Sequence, residues 1–412
     1  MSNQSSSRSV RAAIACEAIN GGGLAHYTED LDRIMRTYAA ESQVLEGHPY
    51  VSPLRGQGSS SRKAKLWLLE KLPLLRRVFE RIRRQSRTQD PWPHAAAWAS
   101  LWRNRSSDII AIVPHVVIHD EGRLDDYYAA IAERPFVLVI HDLHALHFPQ
   151  EWKPRDVETL KSRFALLGKA AKQIIVHNEF TADDVVDKLG IERDRITVVL
   201  LPAFFDEVSF RASPEADAAR LEKLDIRKPY ALWASSSTFV HKNHPRLTKA
   251  WRLLADRGHT LQLVCTGTRA PHWNEVEDLI QTENLESLVR FTGVIDDAAL
   301  AAVMRNAHLA VCPTLFEGGG PGPAAEAALA GIPLTLSSIP QCRELFNLRT
   351  DLCTFFDPYD PKSIADAVED LFLNYEEAKD RAALAKEQYP RLRTQQSAAE
   401  RYWHAVLAAQ KN

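Results

Sequence analysis

Short apolar runs rich in β-branched residues alternate with stretches of helical periodicity along most of the chain. In the first half the runs are 12–18, 108–114, 136–142, 173–178 and 196–202. In the second half they are 230–234, 261–266, 289–293, 309–313, 333–337 and 353–357. Each is short and mostly apolar, as expected of strands buried on both faces. Between them apolar positions recur at helical spacing, for example in 243–257, 296–307 and 361–375. This alternation predicts parallel sheets with helices on both faces. It runs twice, and 202–228 carries charge but no strand signal. Two doubly wound α/β domains are therefore expected, with a ligand cleft between the carboxyl ends of their strands.

Composition narrows the class. The chain has 412 residues, 45% hydrophobic and 25% charged, the profile of a soluble globular protein of two or three domains. Lys+Arg 51 against Asp+Glu 53 gives a net charge of −2, so nothing global points to nucleic acid. Cys16, Cys265, Cys312, Cys342 and Cys353 are odd in number and form no C-x-x-C. They are expected to be buried small hydrophobes in a reducing compartment. The first eleven residues are polar and Ser-rich, and no apolar run reaches the roughly 20 residues of a bilayer span. A cytoplasmic protein without a signal peptide is expected.

One stretch interrupts the alternation. Residues 62–87, RKAKLWLLEKLPLLRRVFERIRRQSR, carry many bases and only Glu70 and Glu80 as acids. Leu66, Leu69, Leu72, Leu75, Phe79 and Ile82 recur at helical spacing, and Pro73 would start or kink a turn. This basic amphipathic segment suits an anionic membrane face, at roughly 1 kcal/mol per base before screening. A helix packed on the first domain with a solvated basic face is the alternative.

The most informative chemistry lies in 309–345, LAVCPTLFEGGGPGPAAEAALAGIPLTLSSIPQCREL. An apolar strand ends at Pro313, a loop carries Glu317 and then Gly318, Gly319, Gly320 and Gly322, and a helix from Ala324 carries Glu326 in its first turn. Glycines let backbone N–H groups approach a ligand, and a helix N-terminus favours an anion. Glu317 faces the cleft, and Glu326 has the chemistry to accept two ribose hydroxyls.

With these residues the chain resembles the retaining glycosyltransferases of family 4, which have the GT-B fold. Their pattern is E-G-x-G-x-P-x-x-E-A-x-A-x-G-x-P. Phe316–Glu317–Gly318, Glu326–Ala327, Ala330–Gly331 and Pro333 match it. Eight residues instead of seven separate the two glutamates, so the loop carries one extra residue near Pro321–Pro323. Other segments follow in family order: the loop Gly21, Gly22, Gly23 to Tyr27, Ile140–His141–Asp142–Leu143, Val176–Phe180, His241–Lys242–Asn243–His244, and Arg290 to Gly293. An Arg common about six residues before the Lys is absent, where the chain reads Ala234–Ser235–Ser236–Ser237.

The resemblance implies the site. Glu317 contacts the donor sugar near its reacting carbon, His141 contacts that sugar, and Glu326 holds the ribose. Gly22, Gly23 and Lys242 meet the diphosphate, Gly293 lies near the base, and Gly318, Gly319 and Gly320 line the donor. The implied domains are 1–205 on the acceptor side, 206–390 for the nucleotide sugar, and 391–412 as a helix returning to the first domain after a break at Pro390. No metal is implied. His141, His144 and His147 lack a completing carboxylate or Cys, and Asp30 and Asp32 point to different faces of a predicted helix.

The expected reaction is retaining transfer of a hexose from a nucleotide-diphosphate sugar to a glycan or lipid-linked saccharide in bacterial surface polysaccharide synthesis. The pairing of I-H-D-L with H-K-N-H resembles bacterial mannosyltransferases, which favours mannose from GDP-mannose, with no other cofactor. The acceptor reading places the protein at the inner membrane face through 62–87. The alternatives are a nucleotide-sugar isomerase of the same fold and a non-catalytic scaffold subunit.

Overall fold

The structure, a computed structural model, describes residues 11–14, 27–28, 30–35, 50–51, 99–100, 102–104, 109–117, 124–202, 214–269 and 272–411. Gly22, Gly23, Cys16 and the basic segment 62–87 lie outside the described residues.

The alternating pattern folds into two six-stranded sheets. The first contains β1 (Arg11–Ile14), β2 (Tyr50–Val51), β3 (Ile109–Val113), β4 (Phe136–Val139), β5 (Gln173–Val176) and β6 (Ile196–Val198), in the order β2-β1-β3-β4-β5-β6. The second contains β7 (Tyr230–Trp233), β8 (Gln262–Cys265), β9 (Val289–Phe291), β10 (Leu309–Cys312), β11 (Leu334–Ser337) and β12 (Thr354–Phe356), in the order β12-β11-β10-β7-β8-β9. Every strand pair is parallel. Both sheets are doubly wound, as the sequence leads one to expect. In each, the order reverses beside the first strand of its half, which opens a crevice at the carboxyl ends. Strand β2 is the one the pattern misses, because two residues make no detectable run.

The strands are buried because helices cover both faces. In β4, β7, β8, β10 and β11 every residue is buried. Cys265, Cys312, Cys342 and Cys353 are free and buried in this packing, which pushes their thiols up.

Helix Gln395–Lys411 leaves the second domain and packs on the first sheet. Ala398, Ala399, Tyr402, Trp403, Ala405, Val406 and Ala409 recur at helical spacing and are buried against Ile110, Ile112, Val137, Val139 and Ile175. Small residues let the helix approach closely, while Trp403, among the largest fully buried side chains, donates from Nε1 to Met35 O (3.3 Å). Deleting that indole would cost about 3–5 kcal/mol.

The break before this helix is not at Pro390, which lies in the last turn of helix Tyr375–Leu392. One missing N–H is tolerated there. The helix ends where Arg393 takes φ −137° and ψ 66°. The buried Arg393 holds the corner by donating from Nε to Leu345 O (2.9 Å) and from Nη2 to Glu344 O (2.7 Å). Among the described residues, no helix is long and apolar enough to cross a membrane.

Candidate functional site

The carboxyl ends of β4 and β5 meet the loops that follow β7 and β10. After β7, a 3-10 turn over Val240–Lys242 is stopped by Asn243 at φ 60°. Asn243 fits that conformation and uses its side-chain amide twice, donating to Pro313 O (2.9 Å) and Pro358 O (2.8 Å). His241 O accepts from Leu315 N (2.7 Å). These bonds stitch the loop after β7 to the loop after β10. They bring Lys242 Nζ within 2.7 Å of Glu317 Oε1, where Thr314 Oγ1 also donates (2.8 Å). The side chains of Lys242 and Glu317 are only 15% and 13% exposed, so the pair is shielded from bulk water. His244 begins the next helix. Its ring is buried among Trp233 and Phe291, which lowers it to about 3, and has no hydrogen-bond partner among the described residues.

Glycines 318 and 319 serve a domain contact. A Cβ on Gly318 would stand 2.5 Å from His141 O, and one on Gly319 would stand 2.5 Å from Leu201 Cδ1 and 3.2 Å from His177 Cβ. Gly318 O accepts from Thr181 Oγ1 (3.2 Å) and from Asn178 Nδ2. Gly320 has φ 93° and backs onto Leu345. The sequence suggested room for a ligand at these glycines, and the first use the structure makes of them is to seat one domain on the other.

Helix Gly322–Ala330 starts two residues before Ala324, since Pro323 is tolerated in a first turn. Glu326 consequently sits in the second turn rather than the first. Burial raises its carboxyl to about 7. It has no hydrogen-bond or ion-pair partner among the described residues, which leaves it able to accept hydroxyl hydrogen bonds. Gly293, at φ 75°, ends β9 and accepts from Gly267 N (3.0 Å). It lies two strands from β7, at the far edge of the sheet. Where the Arg is missing, Ser235 Oγ donates to Ser237 O (2.7 Å).

The three histidines after β4 separate. His141 Nε2 lies 2.8 Å from Pro114 O and its Nδ1 lies 3.0 Å from His177 Nε2, so both ring nitrogens are engaged within the protein. His147 Nε2 pairs with Asp184 (2.7 Å). His144 turns to Glu151, which also meets His241. These last three have atoms within ligating reach of one cation. However, Trp152 Nε1 donates to His144 Nδ1 (3.2 Å), so the ring's proton is on Nε2, the nitrogen that stands 3.4 Å from Glu151. Asp30 pairs with Arg33 within the helical residues 30–35 (2.6 Å).

Sequence reasoning missed Glu151 and Glu344, and it marked the segment Val176–Phe180 without singling out His177. Glu344, from the second domain, caps the helix Glu179–Leu189 of the first by accepting Glu179 N (2.7 Å) and Phe180 N (3.1 Å). Glu151 and Glu344 belong to no local pattern, because each acts across the domain boundary.

Residues 228–374 match the family model described as Glycosyl transferases group 1. This segment contains Lys242, Gly293, Glu317 and Glu326, but not His141. O-antigen chain mannosyltransferase B of Escherichia coli is 24% identical over 237 residues, 56% of this chain, and the match spans 59% of that protein's length. Among solved structures, Anabaena Alr3699/HepE in complex with UDP-glucose superposes with a TM-score of 0.69 at 15% identity, covering 97% of this chain and 99% of that one. Sucrose-phosphate synthase from Thermosynechococcus elongatus gives 0.64 at 15% identity, covering 98% and 100%. The two parallel-sheet α/β domains match the GT-B fold of these structures.

Proposed function

We propose that the protein is a retaining glycosyltransferase that moves a hexose from a nucleotide-diphosphate sugar to a glycan or lipid-linked saccharide. Mannose from GDP-mannose is the favoured donor, and bacterial surface polysaccharide synthesis the favoured setting. The observation that carries this reading is the Lys242–Glu317 pair at 2.7 Å, set at adjoining strand ends, with the unpartnered carboxylate of Glu326 on the following helix. The similarity to an O-antigen mannosyltransferase supports the choice of sugar.

In the reaction, Lys242 leaves Glu317 for the donor diphosphate. There its charge stabilises the leaving group without a metal. Glu317, released from the lysine, meets the sugar close to its anomeric carbon. Glu326 accepts the ribose hydroxyls and becomes a better acceptor as it ionises. The departing phosphate takes the acceptor's proton. Gly318 and Gly319, seated on the first domain, bring the two halves close enough to exclude water. The segment 62–87 would hold the protein on the anionic inner face of the membrane, where a lipid-linked acceptor resides.

The test is incubation with a panel of nucleotide sugars, following release of nucleoside diphosphate. Slow release from one donor, lost in Glu317→Ala and Lys242→Ala, supports the reading and names the sugar. Absence of both release and binding for every donor, with membrane lipid present and the fold intact, overturns it in favour of a scaffold subunit.

A further inference from the structure

His141 and His177 form one hydrogen-bonded chain between two backbone carbonyls. Pro114 O lies 2.8 Å from His141 Nε2, His141 Nδ1 lies 3.0 Å from His177 Nε2, and His177 Nδ1 lies 3.0 Å from Val199 O. A carbonyl oxygen only accepts, so both outer nitrogens carry protons. In two neutral rings the inner nitrogens would then face each other as bare lone pairs. All three contacts are hydrogen bonds only when the two rings together hold three protons, one more than two neutral imidazoles have. The pair lies directly under the Gly318–Gly319 turn, against His141 O and His177 Cβ.

We infer that the His141–His177 pair takes up one shared proton when an anionic sugar nucleotide enters the cleft, and that His177 is the positioning residue that makes His141 a source of positive charge. This deepens the reading of the cleft as a sugar-nucleotide site and rests on it.

The groups facing the pair explain why the proton awaits a ligand. Tyr27 packs edge-on against both rings, at 4.4 Å from His141 and 5.4 Å from His177, and its hydroxyl meets that of Tyr402. Burial holds the Tyr27 phenol well above its ordinary value, so it stays neutral. His115 faces His141, and the cation Arg393 faces His177. Asp142, the adjacent carboxylate, turns away to accept His144 N (2.8 Å). With no carboxylate paired to either ring, burial first, then each ring's cationic or imidazole neighbours, hold His141 well below the usual imidazole value and His177 at about 4. A bound diphosphate supplies the missing negative charge.

Titration calorimetry with GDP-mannose and UDP-glucose, in buffers of differing ionisation enthalpy near neutral pH, reads the proton as a difference between wild type and His177→Gln, since neither ligand titrates there and the ionisation of Glu326 is common to both. The wild type is expected to take up about one proton more per molecule bound than His177→Gln, whose amide can donate to His141 Nδ1 without a third proton. The variant is also expected to lose the acid-side pH dependence of kcat/KM. Equal proton exchange in the two proteins overturns the inference. Ring-nitrogen NMR of the ligand-free protein decides it separately: both rings should shift together in one step as pH falls, and rings that titrate singly overturn it. Failure of both sugar nucleotides to bind would defeat the functional reading, while the ring titration would still decide the pair.

Discussion

Glu151 of the first domain accepts the backbone N–H of His241, the residue preceding Lys242 in the second, at 3.2 Å. Its other oxygen stands 3.4 Å from both His144 Nε2 and His241 Nδ1. The Glu151 side chain is fully buried. Burial works to raise its carboxyl, yet the two histidine contacts outweigh burial and hold it at about 2. An ionised group from one domain thus pins the loop through which the other presents its lysine.

Glu151→Ala leaves the backbone N–H and ring nitrogen of His241 without their acceptor, at a cost of about 1–3 kcal/mol. Donor KM is expected to rise about tenfold or more, with Glu151→Gln recovering part of the loss through its carbonyl oxygen. Steady-state kinetics of both variants, alongside denaturant melts, checks this. An unchanged KM in Glu151→Ala would remove the pinning role.

Glu326 opposes function to stability. Its buried carboxyl, raised to about 7, makes folding less favourable as pH climbs from the unfolded value of about 4.5 toward 7, by about 3 kcal/mol in full. Glu326→Gln is therefore expected to raise the melting temperature at pH about 8 and to leave it nearly unchanged at pH about 4, while weakening sugar-nucleotide binding. Melting curves at the two pH values, with calorimetric binding, give both halves of the expectation.

Gly318→Ala would place a Cβ 2.5 Å from His141 O, which is backbone and cannot step aside, whereas Gly322→Ala meets nothing within 4 Å. The first should lower kcat/KM at least tenfold by prising the domains apart. The second, at the start of a helix, should be neutral or stabilising by up to about 1 kcal/mol. Equal effects in the two variants would argue against the close domain seat.

His244 predicts the acid response. Its folded value of about 3 lies below the unfolded value of about 6.5, so the unfolded chain binds the proton first. Stability contributed by the neutral ring is complete above pH about 6.5 and falls as pH drops toward 3, by up to about 5 kcal/mol. His244→Leu should flatten the decline of melting temperature between pH about 6 and 4.

The strands were legible because a parallel sheet covered on both faces demands continuous apolar runs, and of the twelve strands among the described residues ten lie within such runs and β1 starts one residue before its run. Lys242 and Glu317 were legible because chemistry gathers at strand ends, and those ends are visible at Trp233 and Cys312. Glu151 was not, because its environment is made by a residue 90 positions away in another domain. The same holds for Gly318 and Gly319, whose need for glycine arises from His141 and His177 and not from their own loop. The helix start at Gly322 was displaced because Pro323 reads equally well as a loop residue or as a first-turn residue.

The return of helix Gln395–Lys411 to the first sheet sets the order in which the protein can be completed. Ile110, Ile112, Val137, Val139 and Ile175 are synthesised first, and Tyr402, Trp403 and Val406, which cover them, follow only after the whole second sheet has been made. Until then the first sheet presents an oily face to the cell, open to chaperones and to other nascent chains. The first domain is thus completed only after the second has been made, and loss of helix Gln395–Lys411 would uncover the half of the molecule farthest from it in sequence.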